Sequence, residues 1–273
     1  MTAARHFVLL AACTAALAAV AAQRAEPDID VRISAIVESG YLSSSGWLVD
    51  TRPSCEQMAE ETLWLGKFGR LTACEWIISA LHGGRDADHR RAFYLYEGTV
   101  GYGYDFTFSD SLDIVNEVGI VWDSPWGYKD YSQEEVGWWF RQSVENPILV
   151  PYIEAIGLFT PDRWLRIAFG IRRVFRWGDF TLTPSFETVW GDADRFFVCY
   201  DDVPSHRFLG GAFMTVTPGI RLDWNFAKDW SVWFRFREFI TVDPQARQWV
   251  SGQKEYYVQN EAEIFTLGVS YVF

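Results

Sequence analysis

The stretch TLGVSYVF, residues 266–273, has the alternating pattern of a β-strand that runs to the last residue of the sequence. With a period of two, one face of this strand holds Phe265, Leu267, Val269, Tyr271 and Phe273. The other face holds Ile264, Thr266, Gly268, Ser270 and Val272. Because a terminal strand frays unless it is tied down, we expect this one to be held in a sheet up to its end. Such a strand fits a soluble sandwich or a membrane barrel, and the remaining sequence distinguishes them.

Residues 1–22 have the pattern of a secretory signal peptide. A single positive charge, Arg5, precedes an apolar stretch over 7–20, and Ala19-Val20-Ala21 supplies a small-residue cleavage site. We therefore expect an exported domain, 23–273. A short membrane anchor and a lipoprotein-type cleavage box at Leu10-Ala11-Ala12-Cys13 are the alternatives.

The balance of charge is acidic, with 24 Lys and Arg residues against 36 Asp and Glu. Because the sequence has no basic stripe to meet phosphate groups, it excludes nucleic acid as a partner. No stretch after the signal peptide holds ~18 uninterrupted apolar residues, so no membrane-spanning helix is predicted. We expect no cofactor and no bound metal.

Three cysteines remain in the exported domain, namely Cys55, Cys74 and Cys199. An exported chain meets oxidising conditions, in which cysteine pairs form disulfides. We expect a disulfide between Cys55 and Cys74, with Cys199 single, although spacing alone leaves the other pairings open.

Segments of alternating apolar and polar residues recur throughout 23–273. The clearest cover 94–106 and 230–237, where aromatic residues alternate with Gly, Thr, Ser, Asp, Glu or Arg at most positions. In water the aromatic face would pack into a core, whereas in a membrane it would face lipid. The twelve predicted strands cover 31–42, 60–67, 70–80, 92–107, 111–122, 134–142, 148–159, 163–176, 179–190, 208–226, 229–241 and 258–273.

The predicted connections alternate between short and long. The short ones cover 68–69, 108–110, 143–147, 177–178 and 227–228. The long ones cover 43–59, 81–91, 123–133, 191–207 and 242–257, and the short link 160–162 is the exception. Short turns at one end, long loops at the other and an even strand count predict a closed antiparallel transmembrane β-barrel of 12 strands, with periplasmic turns and extracellular loops.

The placement of tryptophans agrees with a membrane barrel. Indole rings prefer the membrane–water interface, and Trp177, Trp224 and Trp230 border predicted short turns. At the opposite strand ends lie Trp122, Trp138, Trp164 and Trp190. Pro184 and Pro218 fall inside predicted strands, where a missing N–H group disturbs pairing, so we expect a bulge or a shifted boundary at each.

The pattern Thr266-x-Gly268-x-x-Tyr271-x-Phe273 resembles the C-terminal signal of bacterial outer-membrane β-barrel proteins. The resemblance implies an integral outer-membrane location, contact with membrane lipid, and the barrel-assembly machinery as a partner that reads this strand. The whole domain is also similar to small twelve-stranded porin-like proteins. In those, the first strand tends to end in Ser-x-Tyr-x-x-x-Gly. Here Ser39 and Tyr41 are followed by Gly46, one residue later and without the usual basic residue, so no substrate is implied.

Strand alternation assigns a charged set to the interior of the barrel. The predicted pore-lining residues are Glu97, Asp113, Glu117, Glu135, Glu154, Glu187, Asp223, Arg141, Arg166, Arg172, Arg221, Arg235 and Arg237. A narrow porin-like channel for small polar solutes is the expected function, and an ion-paired, blocked interior is the alternative. The acids fall mainly on the fourth to seventh predicted strands and the arginines on later ones, which predicts an electric field across the lumen.

A lipid-acting membrane enzyme is the rival class, and we do not expect it. Nucleophilic catalysis needs a base close to the nucleophile, but His82, His89 and His206 fall in predicted loops, and no Gly-x-Ser-x-Gly motif is present. His82, Asp86, Asp88 and His89 form a charged loop that we interpret as solvated rather than metal-binding. A barrel that binds a partner through its loops is the third class, supported by the aromatic residues Phe196, Phe197 and Tyr200 in 191–207.

Overall fold

The computed structural model describes residues 29–42, 48–50, 53–81, 94–126, 135–160, 165–192, 211–252 and 259–273. Twelve strands of this part form the wall: β1 (Ile29–Glu38), β4 (Ser54–Trp64), β5 (Arg70–Ala80), β6 (Tyr94–Ser109), β7 (Leu112–Trp126), β8 (Glu135–Glu145), β9 (Val150–Thr160), β10 (Leu165–Arg172), β12 (Phe180–Asp192), β13 (Gly211–Ala227), β14 (Trp230–Thr241) and β15 (Glu261–Val272). Three short strands accompany them: β2 (Tyr41–Leu42), β3 (Leu48–Asp50) and β11 (Phe175–Trp177). A 3-10 turn (Gly66–Phe68) and the helix α1 (Pro244–Gly252) complete the described elements.

The wall closes on itself through antiparallel pairs. Each of its strands pairs with the next one in sequence, and β1 pairs with β15 from Arg32 opposite Val272 to Glu38 opposite Thr266. β10 pairs with β9 on one side and β12 on the other, and β11 continues along β12. Closure leaves no free edge on which another chain could add a strand. The predicted twelve-stranded antiparallel barrel is confirmed.

The connections are sorted by length as predicted. The turns 65–69, 110–111, 146–149, 178–179 and 228–229 lie at one end, which also holds the start of β1 and the end of β15. The segments 39–53, 81–93, 127–134, 161–164, 193–210 and 242–260 connect strands at the other end. The second predicted strand is misplaced, because β4 begins at Ser54 and the sequence pattern put its start at residue 60.

Neither proline inside a strand causes a bulge. Pro184 lies opposite the break between β10 and β11. Its carbonyl accepts a hydrogen bond of 3.1 Å from the Arg173 amide, but proline has no N–H group with which to donate one back. Pro218 pairs with Phe186 of β12 and leaves a gap in the pairing towards β14. The register shifts instead at other positions, such as Val189 and Trp190.

The outer wall is apolar. Its exposed side chains include Ile33, Val37, Ile120, Phe169, Phe186, Ile220, Phe234, Phe265 and Leu267. At the short-turn end an unbroken series of ring contacts, with centroids 4.6–6.5 Å apart, runs through Trp177, Phe180, Trp224, Phe226, Trp230, Tyr271 and Phe273. An apolar belt edged by aromatic rings is the outer surface that a bilayer solvates. No helix among the described residues is long and apolar enough to span a membrane.

Candidate functional site: the charged interior

Strand alternation separates the two faces of the last strands as the sequence predicts. On β15, Phe265 and Leu267 are exposed on the outside, whereas Ile264 and Thr266 are buried inside. On β14, Phe234 lies outside, and its neighbour Arg235 donates a hydrogen bond of 2.9 Å to Glu38 in the interior. The inward face of the wall therefore carries the charged set.

One half of the wall carries an alternating ladder of charges. Arg70 of β5 donates hydrogen bonds of 2.7 and 2.8 Å to Asp105 and of 2.9 Å to Glu117. Arg141 of β8 lies 3.9 Å from Glu117 and 2.6 Å from Glu154 of β9. Asp105 of β6 and Glu117 of β7 thus lie between the two arginines, and each guanidinium meets a carboxylate on a neighbouring strand.

The ladder continues across β10 to β12. Arg166 donates a hydrogen bond of 2.9 Å to Glu154 and lies 3.7 Å from Glu187. Tyr152 donates a hydrogen bond of 2.8 Å from its hydroxyl to Glu187. Because Arg166 is almost fully buried, its charge depends on these carboxylates for solvation.

The other half of the wall is organised around Glu38, at the long-loop end of β1. Its carboxylate accepts hydrogen bonds of 2.9 Å from both Arg235 and Arg237 and one of 2.8 Å from the Thr266 hydroxyl. Nearby, Glu56 accepts a 3.1 Å hydrogen bond from the indole N–H of Trp76. The single negative charge of the buried Glu38 carboxylate is thus shared between two guanidinium groups.

Two further pairs lie nearer the short turns. Arg172 donates a hydrogen bond of 2.7 Å to Glu145. Arg221 donates to Asp223 at 2.6 Å and stacks over Trp233, with 4.2 Å between its guanidinium carbon and the ring centroid.

Glycines make room for large side chains inside the wall. A Cβ atom at Gly268 would overlap the indole of Trp233, and one at Gly170 would overlap the ring of Tyr152. The six-membered ring of Trp139 likewise occupies the space beside Gly101. Gly268 of the predicted C-terminal signal is therefore also a packing requirement of the interior.

Many inward side chains are buried at the long-loop end of the strands. These side chains come from every wall strand except β8. We call them the closed layer: Ile36, Glu38, Glu56, Ile78, Glu97, Val121, Leu158, Arg166, Ala168, Val189, Thr215, Phe239 and Ile264. Nearer the short turns the interior contains open space, since Arg141 keeps 54% and Arg172 42% of the side chain accessible. Within the described part of the chain, inward side chains are thus buried at the long-loop end and more accessible nearer the short turns.

The predicted interior set mostly falls within these networks. Glu117, Glu154, Glu187, Asp223, Arg141, Arg166, Arg172, Arg221, Arg235 and Arg237 are all in the ion pairs above. Glu97 belongs to the closed layer. Asp113 lies directly opposite Glu145 in the antiparallel ladder of β7 and β8. Glu135 begins β8, and its side chain lies outside the described part. Whether the set lines a conducting pore stays a prediction.

The predicted field across the lumen stays a prediction, and two residues missing from the predicted set reduce the separation of charge without balancing each half. Arg70 places a positive charge among the acids of β6 and β7, and Glu38 places a carboxylate between Arg235 and Arg237. The period-two pattern of β1 could have identified Glu38 as inward-facing. Ser34, Ile36 and Glu38 lie on the same face of this strand. Glu56 was missed because the predicted second strand began too late.

The predicted disulfide between Cys55 and Cys74 is wrong. Cys55 and Cys74 are both free thiols. In the β4–β5 register Cys55 pairs with Ser79, whereas Cys74 pairs with Glu60. The two cysteines therefore lie at different positions along the strands and on opposite faces of the sheet. Cys199, Trp164, the signal peptide and the loop residues His82, Asp86, Asp88, His89, Phe196, Phe197, Tyr200 and His206 lie outside the described residues.

Comparison with solved structures finds barrels of similar architecture. The KdgM porin is 12% identical, with a TM-score of 0.48, and the match covers 89% of this chain and 99% of that one. The outer membrane phospholipase A from Escherichia coli is 11% identical, with a TM-score of 0.47, 90% of this chain and 97% of that one covered. A loop-deleted OmpT, an outer membrane protein of Vibrio cholerae, is 10% identical, with a TM-score of 0.42, 90% and 99% covered. These likenesses concern the fold alone. No protein-family model and no curated protein matches the sequence.

Proposed function

We propose that this protein, an integral β-barrel of the bacterial outer membrane, is a narrow porin-like channel for small polar solutes. The observation that carries the proposal is the accessibility of Arg141. This side chain points inward from the middle of β8, is bound to Glu154 at 2.6 Å, and is still 54% accessible. A charged group that is paired at the wall and also open to solvent indicates water-filled space inside the barrel.

The wall of this space suits small polar solutes. Guanidinium groups offer N–H donors, carboxylates offer acceptors, and the two alternate from Arg70 through Arg141 to Arg166. A solute with hydroxyl, amide or zwitterionic groups can replace its water with these partners one at a time. Because both signs occur along the wall, we expect cations and anions both to find partners there.

The closed layer favours a second candidate, a barrel that does not conduct. Inward side chains as small as Ala168 and Thr215 are fully buried at the long-loop end, and a filled interior at that level would produce this burial. In the channel proposal this layer has to rearrange for a solute to pass. In the second candidate it is permanent, and the protein acts through its loops or as a structural component.

Conductance of the refolded protein in planar bilayers separates the two candidates. The channel predicts single-channel steps whose size and ion preference change in Arg141→Glu. Arg173→Gln is the matched control, because Arg173 lies over Phe175 on the outer face and should leave both quantities unchanged. Absence of steps from a protein that shows heat-modifiable migration in gels would reject the channel in favour of the second candidate.

We propose no enzymatic activity. The three histidines of the enzymatic alternative, His82, His89 and His206, lie outside the described residues. Release of fatty acid from phospholipid vesicles by the purified protein is the measurement that would contradict this part of the proposal.

A further inference from the structure

The outer faces of β4 and β5 differ from the rest of the wall. Trp76 and Glu56 form a hydrogen bond inside the barrel, so alternation directs their sequence neighbours outward. Glu75 of β5 and Gln57 of β4 therefore face away from the lumen, and so does Glu61. Two carboxylates and an amide therefore lie on the outer face at mid-strand, whereas the outer-face carboxylates Glu238 and Glu263 of β14 and β15 lie opposite each other nearer the long-loop end.

We call this surface the β4–β5 patch, formed by Gln57, Ala59, Glu61, Ala73 and Glu75. Ala59 pairs with Glu75 and Glu61 with Ala73, so each carboxylate has an alanine beside it. The patch lies in the middle of both strands rather than at a rim. Ionised side chains facing hydrocarbon lack solvation, and the patch is therefore a poor surface for lipid.

A second polar pair on the outer face shows how such groups are accommodated elsewhere. Asn116 of β7 accepts a hydrogen bond of 2.7 Å from Gln142 of β8 and donates to the backbone carbonyls of Tyr104 and Ile114. In the part of the chain that the structure describes, the polar groups of the β4–β5 patch have no comparable hydrogen bond or ion pair. These groups are therefore candidates for a partner from outside the protomer.

We propose that the β4–β5 patch is the interface of a homodimer in the membrane, with the two-fold axis along the membrane normal. The patch contains both a donor and an acceptor, because Gln57 and Glu75 are diagonal neighbours on adjacent strands. A two-fold rotation places β4 of one copy against β5 of the other. The Gln57 amide then donates to the partner subunit's Glu75, and the reciprocal bond forms by symmetry.

The remaining residues of the patch suit the same arrangement. Ala59 and Ala73 have small side chains that let two sheets approach closely. Glu61 lies nearer the short turn, at the edge of the patch. A second copy therefore covers the centre of the patch with small side chains and with one donor and one acceptor from each protomer.

Counting chains in vesicles tests the dimer. The full exported domain, labelled at its N-terminus, is refolded into phosphatidylcholine vesicles, and photobleaching steps give the number of chains in each particle. We expect two steps for the wild type and one for Glu75→Leu combined with Gln57→Leu. Ile120→Leu, an outer-face change on β7, is the control that should keep two steps.

Heat-modifiable migration verifies that each variant has folded. A wild type that bleaches in one step, or a double variant that keeps two, overturns the proposal. In the first case the patch faces lipid or a different membrane protein. The dimer does not depend on conduction, so silent bilayers leave this test unaffected.

Discussion

Glu38 and Arg235 are 197 residues apart in sequence and form a hydrogen bond of 2.9 Å inside the barrel. They lie on β1 and β14, the two strands that flank the last strand, β15, and Thr266 of β15 donates to the same carboxylate at 2.8 Å. The seam that closes the barrel is therefore held by side chains as well as by the backbone ladder.

Replacing Glu38 with Gln should destabilise the barrel strongly. The change leaves Arg235 and Arg237 without their shared carboxylate in a buried site, which typically costs about 3–5 kcal/mol. Urea unfolding in lipid vesicles, followed by tryptophan fluorescence, measures the loss. Glu60→Gln is the control, because its pair with Arg32 is 3.8 Å long and 41–55% exposed, and such pairs contribute at most about 1 kcal/mol. Equal effects of the two changes would contradict the role assigned to Glu38.

Replacing Gly268 with Ala should also destabilise the barrel, through packing rather than charge. A methyl group there overlaps the indole of Trp233, and overpacking of this kind costs about 1–3 kcal/mol. The same unfolding experiment applies. Gly219→Ala is the matched control. The atoms nearest to a Cβ at residue 219 would lie 3.2 Å away, so we expect a smaller loss of stability. A larger loss at residue 219 would reject this explanation.

Spin labels at 234 and 235 should report opposite environments. Phe234 is 42% exposed on the outer face, whereas Arg235 points into the interior towards Glu38. We expect a label at 234 to relax with a lipid-soluble reagent and a label at 235 to respond to a water-soluble one. Phe234→Arg should cost about 2–4 kcal/mol if the side chain lies near the midplane. The reverse pattern of relaxation would invalidate the assignment of the faces.

Deleting Phe273 should impair assembly into the outer membrane. Its amide donates a hydrogen bond of 2.9 Å to the Val31 carbonyl of β1, and its ring contacts Tyr271 at 4.6 Å. The residue thus joins the first and last strands at the aromatic rim. The amount of heat-modifiable protein in outer-membrane fractions measures assembly, and Phe273→Trp should preserve it. Normal assembly of the deletion variant would show that the terminal residue is dispensable.

Removing side-chain volume from the closed layer should increase conduction if the protein is a channel. Phe239 is buried inside the wall against Ile264, and Phe239→Ala removes a large side chain from the closed layer. We expect larger or more frequent conductance steps than in the wild type. Val118→Ala, on the outer face, should not change them. If neither variant differs from the wild type, the closed layer does not limit conduction.

The strand pattern, the loop asymmetry and the two faces of each strand were predictable from the sequence. All three depend on local rules, namely the period-two alternation of side chains and the short turns that join antiparallel neighbours. These rules place Phe234 outside and Arg235 inside without knowledge of any long-range contact.

Partnerships inside the barrel were decided only by the tertiary structure. Closure and register determine which residues of distant strands meet, and these are long-range properties of the whole sheet. The pairing of Glu38 with Arg235, the ladder through Arg70 and the separation of Cys55 from Cys74 all follow from register. A sequence lists charges along the chain, and only the closed sheet determines which of them are neighbours.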